Sequence, residues 1–267
     1  MAPRPPVVSV VVPTRDQRPL LAAALASVRA QTFRDYEVLL VDDASSDDTW
    51  AWARRQRWPA LRARRLSRRK GTPGARNEAL ARARGRFVAF LDHDDLWAPD
   101  YLEEMLGALR DPRVMMACSN VDLVDGRGRV LLAKAIGSSG RVDRVLRAAT
   151  GLSHTPCMSA CVFRRRVFRE LGGLDEGFET LDDLDLFHRV GARWGPRAIV
   201  FRDRALASYR LHAGQQTAVY GDVRDPAKVI AAFLAAPAAD ARRRACLLDA
   251  AYLFVKHGRR LLRASRG

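Results

Sequence analysis

Val7-Val8-Ser9-Val10-Val11-Val12-Pro13-Thr14 reads as a strand and its abrupt end. A β-branched run without polar alternation suits a strand buried on both faces, and the proline closes it. The chain then repeats the plan. Residues 20–30 carry Leu20, Leu21, Ala24, Leu25 and Val28 at helical spacing. A second apolar run over 36–41 halts at Asp42-Asp43. Ser46-Asp47-Asp48 supplies a helix start for residues 49–57. Residues 61–66 form a weaker third strand, and Thr72-Pro73 opens a helix over 74–83. A fourth strand over 86–91 halts at Asp92-His93-Asp94-Asp95, and Pro99 opens a helix running to about Leu109. This alternation predicts a mostly parallel sheet with helices on both faces. Such sheets bind ligands at the carboxyl ends of their strands. Three of those ends carry polar clusters: Thr14-Arg15-Asp16, Asp42-Asp43 and Asp92-His93-Asp94-Asp95.

The remainder changes character. Strands are expected over 114–118 and 130–133, around the turn Asp125-Gly126-Arg127-Gly128, followed by a Gly/Ser-rich connection. That connection, residues 137–155, reads equally as an acceptor-side loop that orders on donor binding or as an ordinary link. A strand over 158–163, a helix over 164–171 ended by Gly172-Gly173, a helix over 184–194, and closing strands at 199–200 and 206–211 follow. From Val223 the composition turns to alanine and arginine with helical spacing. The expected organisation is a catalytic domain over 1–221, divided near 112 into nucleotide-side and acceptor-side halves, and a helical extension over 222–267.

Composition narrows the class. With 267 residues, 48% hydrophobic and 28% charged, the chain can bury a core. No apolar run reaches the ~18–20 residues of a membrane span, and the N-terminus lacks a signal-peptide layout. A soluble, cytoplasmic protein is expected. Cys118, Cys157, Cys161 and Cys246 are too sparse for a disulfide framework, and no second Cys/His pair beside Cys157 and Cys161 completes a zinc site. The net charge is +16, nearly all arginine, with nine basic residues and no acid between Arg54 and Lys70. Such charge permits polyanion or anionic-membrane contact but equally describes solvated arginine-rich faces.

Five motifs carry candidate chemistry. In an extended segment Asp92 and Asp94 point the same way and can share a hard divalent cation with substrate phosphate; the alternative is a polar turn capping the next helix. Asp43 at a strand end can accept from a nucleobase or ribose, or can simply cap a helix. Gly71-Thr72-Pro73-Gly74-Ala75-Arg76-Asn77 resembles a glycine loop feeding a helix start, a place that suits anions. Asp182-Asp183-Leu184-Asp185 combines like charges with a helix N-terminus and offers a general base, or is simply an acidic helix start. His212 in Tyr209-Arg210-Leu211-His212 is a candidate metal ligand or phosphate donor, or a structural histidine.

Taken in order, V-S-V-V-V-P-T, V-D-D-A-S-S-D-D-T, G-x-x-x-A-R-N, F-L-D-H-D-D, G-G-L-D-E-G-F, D-D-x-D-L and Y-R-L-H resemble the family 2 glycosyltransferases. The resemblance runs from about Val7 to Thr217. It implies a GT-A fold, with a Rossmann-like central sheet, and an inverting enzyme dependent on a nucleotide sugar and on Mn²⁺ or Mg²⁺. It also implies roles. Pro13, Thr14 and Asp43 would line the nucleoside pocket, with Arg76 a further nucleotide-side candidate. Asp94 would be the direct metal ligand, Asp92 would lie nearer the ribose while sharing the metal, and His212 would stand near the diphosphate and metal. Asp183 would be the catalytic base, with Asp182 supporting the acceptor side. Asp182 stands where the family usually has glutamate, and His93 where it has a small residue or proline.

A UDP-sugar is the default donor, with dTDP- and GDP-sugars open. The acceptor class stays open among surface polysaccharide, lipid-linked saccharide, peptide and small natural product. The amphipathic stretch 241–264 reads either as an interfacial helix touching a membrane or as a helix packed on its own domain or a second subunit. The rival enzyme class is a nucleotidyltransferase, which needs a glycine-rich loop after the first strand; Pro13-Thr14-Arg15-Asp16-Gln17 has none. The non-enzymatic rival is nucleic-acid binding, for which no recognition motif or aromatic pattern is evident.

Overall fold

Strand β1 (Val8–Thr14) lies between β2 (Tyr36–Asp42) and β4 (Phe87–Phe90), parallel to both, with β3 (Leu61–Arg65) parallel beyond β2. All seven residues of β1 are buried. Burying a valine side chain contributes about 1.5–3 kcal/mol, so this strand is a large share of the core. Its one polar interior residue is satisfied: Ser9 donates to Glu37, its register neighbour on β2, at 2.8 Å and accepts from the Gly85 amide at 2.9 Å. The computed structural model describes residues 4–135, 156–177 and 182–212. The expected connection 137–155 and helical extension 222–267 lie outside the described residues.

Beyond β4 the sheet becomes mixed. Its order is β3-β2-β1-β4-β8-β6-β9-β5, with β7 (Val130–Leu132) pairing β6 off this path. β8 (Cys161–Arg164) runs antiparallel to β4 and to β6 (Met116–Asp125). β9 (Ile199–Leu211) is parallel to β6, and the two-residue β5 (Leu96–Trp97) is antiparallel to β9. Three expectations change here. The strand expected to stop at 118 runs on to Asp125, because Asn120 reaches Asp203 at 2.9 Å and is satisfied inside the sheet. The two closing strands are one strand of 13 residues. Residues 158–160 are a 3₁₀ turn ahead of β8 rather than part of it.

Alternation along β1 divides the core. Val8, Val10 and Val12 face α1 (Arg18–Arg29) and α4 (Tyr101–Ala108). Val11 faces the opposite layer with Ala75 and Ala79 of α3 (Gly71–Leu80), Phe168 of α5 (Arg166–Leu171) and Phe187 of α6 (Asp182–Trp194). The short α2 (Thr49–Ala53) follows β2. Cys118, Cys157 and Cys161 are free thiols, and burial pushes all three well above the usual thiol range. They act as small core residues.

Candidate active site

The ends of β1 and β2 are knitted together by acids. The Asp43 amide donates to the Thr14 carbonyl at 2.8 Å. The Asp43 carboxylate accepts the amides of Lys70 and Gly71, at 2.7 and 2.9 Å, where α3 begins. The helix start read as an anion cradle is therefore filled by the chain's own carboxylate, and the Asp43 oxygens expected toward a nucleobase each hold a backbone amide. Asp42 is fully buried, accepts from the Ser45 amide and hydroxyl, and stands 3.4 Å from Arg65 Nε; burial pushes its carboxyl up. Asp16 reaches across to the amides of Ser46 and Asp47 at 2.6 and 3.2 Å. Against partial burial, hydrogen bonds from Ser46, Arg15 and Asp47 hold its carboxyl below the ordinary range. The Pro13 carbonyl meets His93 Nδ1 at 3.3 Å. Thr14 is buried, and its hydroxyl has no hydrogen-bond partner among the described residues.

Arg76 joins the turn after β4 to the start of α6. It leaves the first turns of α3 buried, with its guanidinium carbon 5.9 Å from the Phe90 ring centre. One terminal nitrogen donates to Asp92 and the other to Asp182, each at 2.6 Å. Burial opposes its charge, but Asp182 and Asp92 more than restore it and hold the guanidinium above its ordinary value. Burial pushes the Asp182 carboxyl up, and Arg76 opposes that push. Arg76 was expected to face a nucleotide; the structure commits both of its terminal nitrogens to carboxylates. Asp183, next along α6, is half-buried, and its charge is felt by Arg76. The third acid of that helix start, Asp185, is fully buried and pairs with Arg189 at 2.7 Å.

On the other side of Asp92, Asp94 meets His212 at the end of β9, carboxylate oxygen to Nε2 at 3.1 Å. Among the described residues no three acid, cysteine or histidine side chains converge as a ready-made cation cage. Asp92, expected to share a metal with Asp94 and His212, is instead engaged by Arg76. The remaining carboxylate–imidazole pair still fits a divalent cation. Mg²⁺ and Mn²⁺ sites commonly use one or two protein ligands and complete their shell with water and substrate phosphate. An imidazole beside a carboxylate suits Mn²⁺ better than Mg²⁺.

Several supporting residues escaped sequence reasoning. Asn77 donates to the Leu174 carbonyl at 2.8 Å and accepts the Leu174 amide at 2.9 Å, pinning the Gly-Gly-Leu-Asp segment that precedes α6. Gly173 has a left-handed φ of +83°, and a Cβ there would sit 2.7 Å from Oδ1 of the Asn77 side chain. Ser159 accepts the Asp92 amide at 3.0 Å. The G-x-x-x-A-R-N motif pointed at Asn77; nothing in the sequence pointed at Ser159.

A family model described as "Glycosyl transferase family 2" matches residues 9–172. A curated relative from Escherichia coli, the UDP-Glc:alpha-D-GlcNAc-diphosphoundecaprenol beta-1,3-glucosyltransferase WfgD, is 32% identical over 124 residues, 46% of this chain and 49% of that protein. The pre-mycofactocin glycosyltransferase of Mycobacterium tuberculosis is 32% identical over 220 residues, 75% of this chain and 45% of that protein. The chain thus spans about half the length, or less, of these relatives. Among solved structures, S. aureus TarS 1-349 in complex with UDP-GlcNAc superposes with a TM-score of 0.63 at 20% identity, covering 85% of this chain and 65% of that one. The mannosyltransferase PcManGT from Pyrobaculum calidifontis, in complex with GDP-Man and Mn²⁺, superposes with a TM-score of 0.65 at 24% identity, covering 94% and 70%. At these identities the two structures speak for the GT-A fold.

Proposed function

The chain belongs to glycosyl transferase family 2, and we propose that it transfers a sugar from a nucleoside diphosphate sugar, UDP-linked by default, to an acceptor hydroxyl in one inverting displacement. The observation that carries this reading is the meeting of side chains from three distant stretches. Asp92 and Asp182 share Arg76 at 2.6 Å each, and Asp94 meets His212 at 3.1 Å. A nucleotide-sugar transferase needs a place for a diphosphate and a carboxylate for the acceptor, and Asp183, next to Asp182, stands beside this cluster.

The steps assigned to the chain's residues are few. Pro13 and Thr14 frame the nucleoside at the ends of β1 and β2, Asp43 shapes that pocket by holding the Lys70 and Gly71 amides, and Asp92 stands on the ribose side. Asp94 and His212 are the residues that would hold Mn²⁺ or Mg²⁺, which would supply charge neutralisation for a diphosphate leaving group. Asp183 takes the proton of the acceptor hydroxyl as its oxygen attacks the anomeric carbon. The new C–O bond forms on the face opposite the diphosphate oxygen, whose bond to that carbon breaks. Asp182 and Arg76 hold the start of α6 and so orient Asp183. No covalent intermediate forms, so positioning and preset charge supply most of the rate.

The acceptor we favour is a lipid-linked saccharide. What supports this is the relative WfgD, whose name specifies a diphosphoundecaprenol acceptor. No helix among the described residues is long and apolar enough to cross a membrane. Reaching such an acceptor would fall to peripheral contact, for which the basic stretch 241–264 is the candidate.

The test is a panel of UDP-, GDP- and dTDP-sugars with lipid-diphosphate saccharide acceptors, scored by release of the nucleoside diphosphate and the anomeric configuration of the product. Asp183→Asn is expected to lower kcat by about 10²–10⁴ with donor KM nearly unchanged. Full turnover in Asp183→Asn, or a product of retained configuration, contradicts the proposed mechanism.

A further inference from the structure

β5 gives β9 two ladder partners and then stops, with Trp97 opposite Ala207 and Leu96 opposite Ser208. The next residue back, Asp95, continues the connection with its side chain. Its carboxylate accepts the Arg210 amide at 3.1 Å. Two residues further along β9's direction is His212, at the Asp94 carboxylate. Asp95 is only 2% exposed, so this rung is shielded from water. An unmet amide there would cost about 1–3 kcal/mol, which makes the register hard to break.

The other side of Asp95 is tied to the same turn. Its own amide donates to the Asp92 carbonyl at 3.1 Å. The Asp92 amide donates to the Ser159 hydroxyl at 3.0 Å, and Ser159 counters the upward push that burial gives the Asp95 carboxyl. Ser159 is fully buried and fixed in turn, its carbonyl accepting Trp97 Nε1 at 2.7 Å beneath the Trp97–Tyr101 stack. Hydrogen bonds thus run from the Asp92 carbonyl through Asp95 to the backbone of β9, two residues before the histidine, with Ser159 holding the Asp92 amide of the same turn.

We propose that Asp95 and Ser159 are positioning residues that lock the end of β9 to the Asp92-His93-Asp94-Asp95 turn and so present the His212 imidazole to the Asp94 carboxylate. The inference rests on the reading of Asp94 and His212 as the cation-holding pair, and it adds residues to which that reading gives no part. Neither Asp95 nor Ser159 is assigned contact with substrate. Their work is geometric, of the kind by which supporting hydrogen bonds set metal affinity by about 10–100-fold.

The test uses the full chain as Asp95→Ala, Asp95→Asn and Ser159→Ala. In metal-free protein, Asp95→Ala is expected to speed hydrogen exchange at the Arg210 amide and to move the ring ¹⁵N resonances of His212. Asp95→Asn keeps an oxygen for the Arg210 amide and is expected to stay near wild type in both. With UDP saturating, the Mn²⁺ affinity of Asp95→Ala, read by the electron paramagnetic resonance of free Mn²⁺, is expected to fall about 10–100-fold. UDP affinity without metal is expected to stay within about twofold of wild type. Should Asp95→Ala fail to fold, Ser159→Ala, which deletes one hydroxyl, is expected to move the same readouts in the same direction. Unchanged Arg210 exchange and His212 resonances in the folded variant overturn the proposal. So does an equal loss of metal-free UDP binding. Wild type that binds no Mn²⁺ with UDP contradicts the parent reading instead, while the two metal-free readouts still judge the tether.

Discussion

Arg76 bears on two carboxylates that lie 16 and 106 positions away in the chain. The residue types around it were legible: acids at strand ends and at a helix start declared themselves as chemistry. The role of Arg76 was not, because its motif reads locally as a glycine loop for phosphate, and neither partner is near it in sequence. A buried guanidinium between two carboxylates leaves uncompensated charge if removed. Arg76→Met is expected to destabilise the fold by about 3–5 kcal/mol in urea unfolding. Adding Asp182→Asn is expected to recover part of that loss by removing one stranded acid. A single variant as stable as wild type would mean that the bridge is not held in solution.

At the scale of elements, the parallel run β1 to β4 was readable because β1, β2 and β4 are apolar runs and the later helices carry start signals, whereas β3, with three arginines in five residues, showed only as a weak strand. The full lengths of β6 and β9 were not readable, although a part of each was. Ser119, Asn120 and Asp122 break the apolar pattern of β6, and its partner Asp203 lies on a strand far along the chain. The two-residue β5 has no sequence signature; its pairing with β9 creates it. The loops between elements make two predictions. Gly173→Ala places a side chain at φ +83° against Asn77 and is expected to cost about 1–3 kcal/mol. Because Asn77 and Gly173 fix the approach to α6, its kcat is expected to fall while UDP affinity holds; equal loss of both would detach this loop from the acceptor side. Asp16 ties the loop after β1 to the loop after β2. Its carboxyl titrates below its ordinary 3.8 in the folded protein, so its contribution is present above that value and lost as pH falls through the lower, folded one. Asp16→Asn keeps the oxygen that accepts from Ser46 and Asp47 but loses the charge. It is expected to be less stable than wild type at neutral pH and to converge with it in acid, as followed by urea unfolding across pH. A constant difference at all pH values would contradict the assignment.

For the whole molecule, the sequence announced an α/β fold with its ligand edge at strand ends, and the structure adds how that edge is closed. The mixed half, β8-β6-β9-β5, brings the end of β9 back beside the end of β4, and α6 comes to the same place through Arg76. Topology of this kind depends on contacts across more than a hundred residues, which periodicity within a segment does not encode. Arg76, Asp92 and Asp94 from the first hundred residues thus meet Asp182 and His212 from the last described stretch, the convergence that the proposed transfer between two bound molecules needs. The most direct test of that convergence is a calorimetric titration of UDP into wild type and Asp94→Asn, each with and without Mn²⁺. The account predicts that Mn²⁺ strengthens UDP binding to wild type and leaves binding to Asp94→Asn unchanged. Binding of UDP to wild type with the same affinity in the presence and absence of Mn²⁺, or an undiminished Mn²⁺ effect in Asp94→Asn, would contradict it.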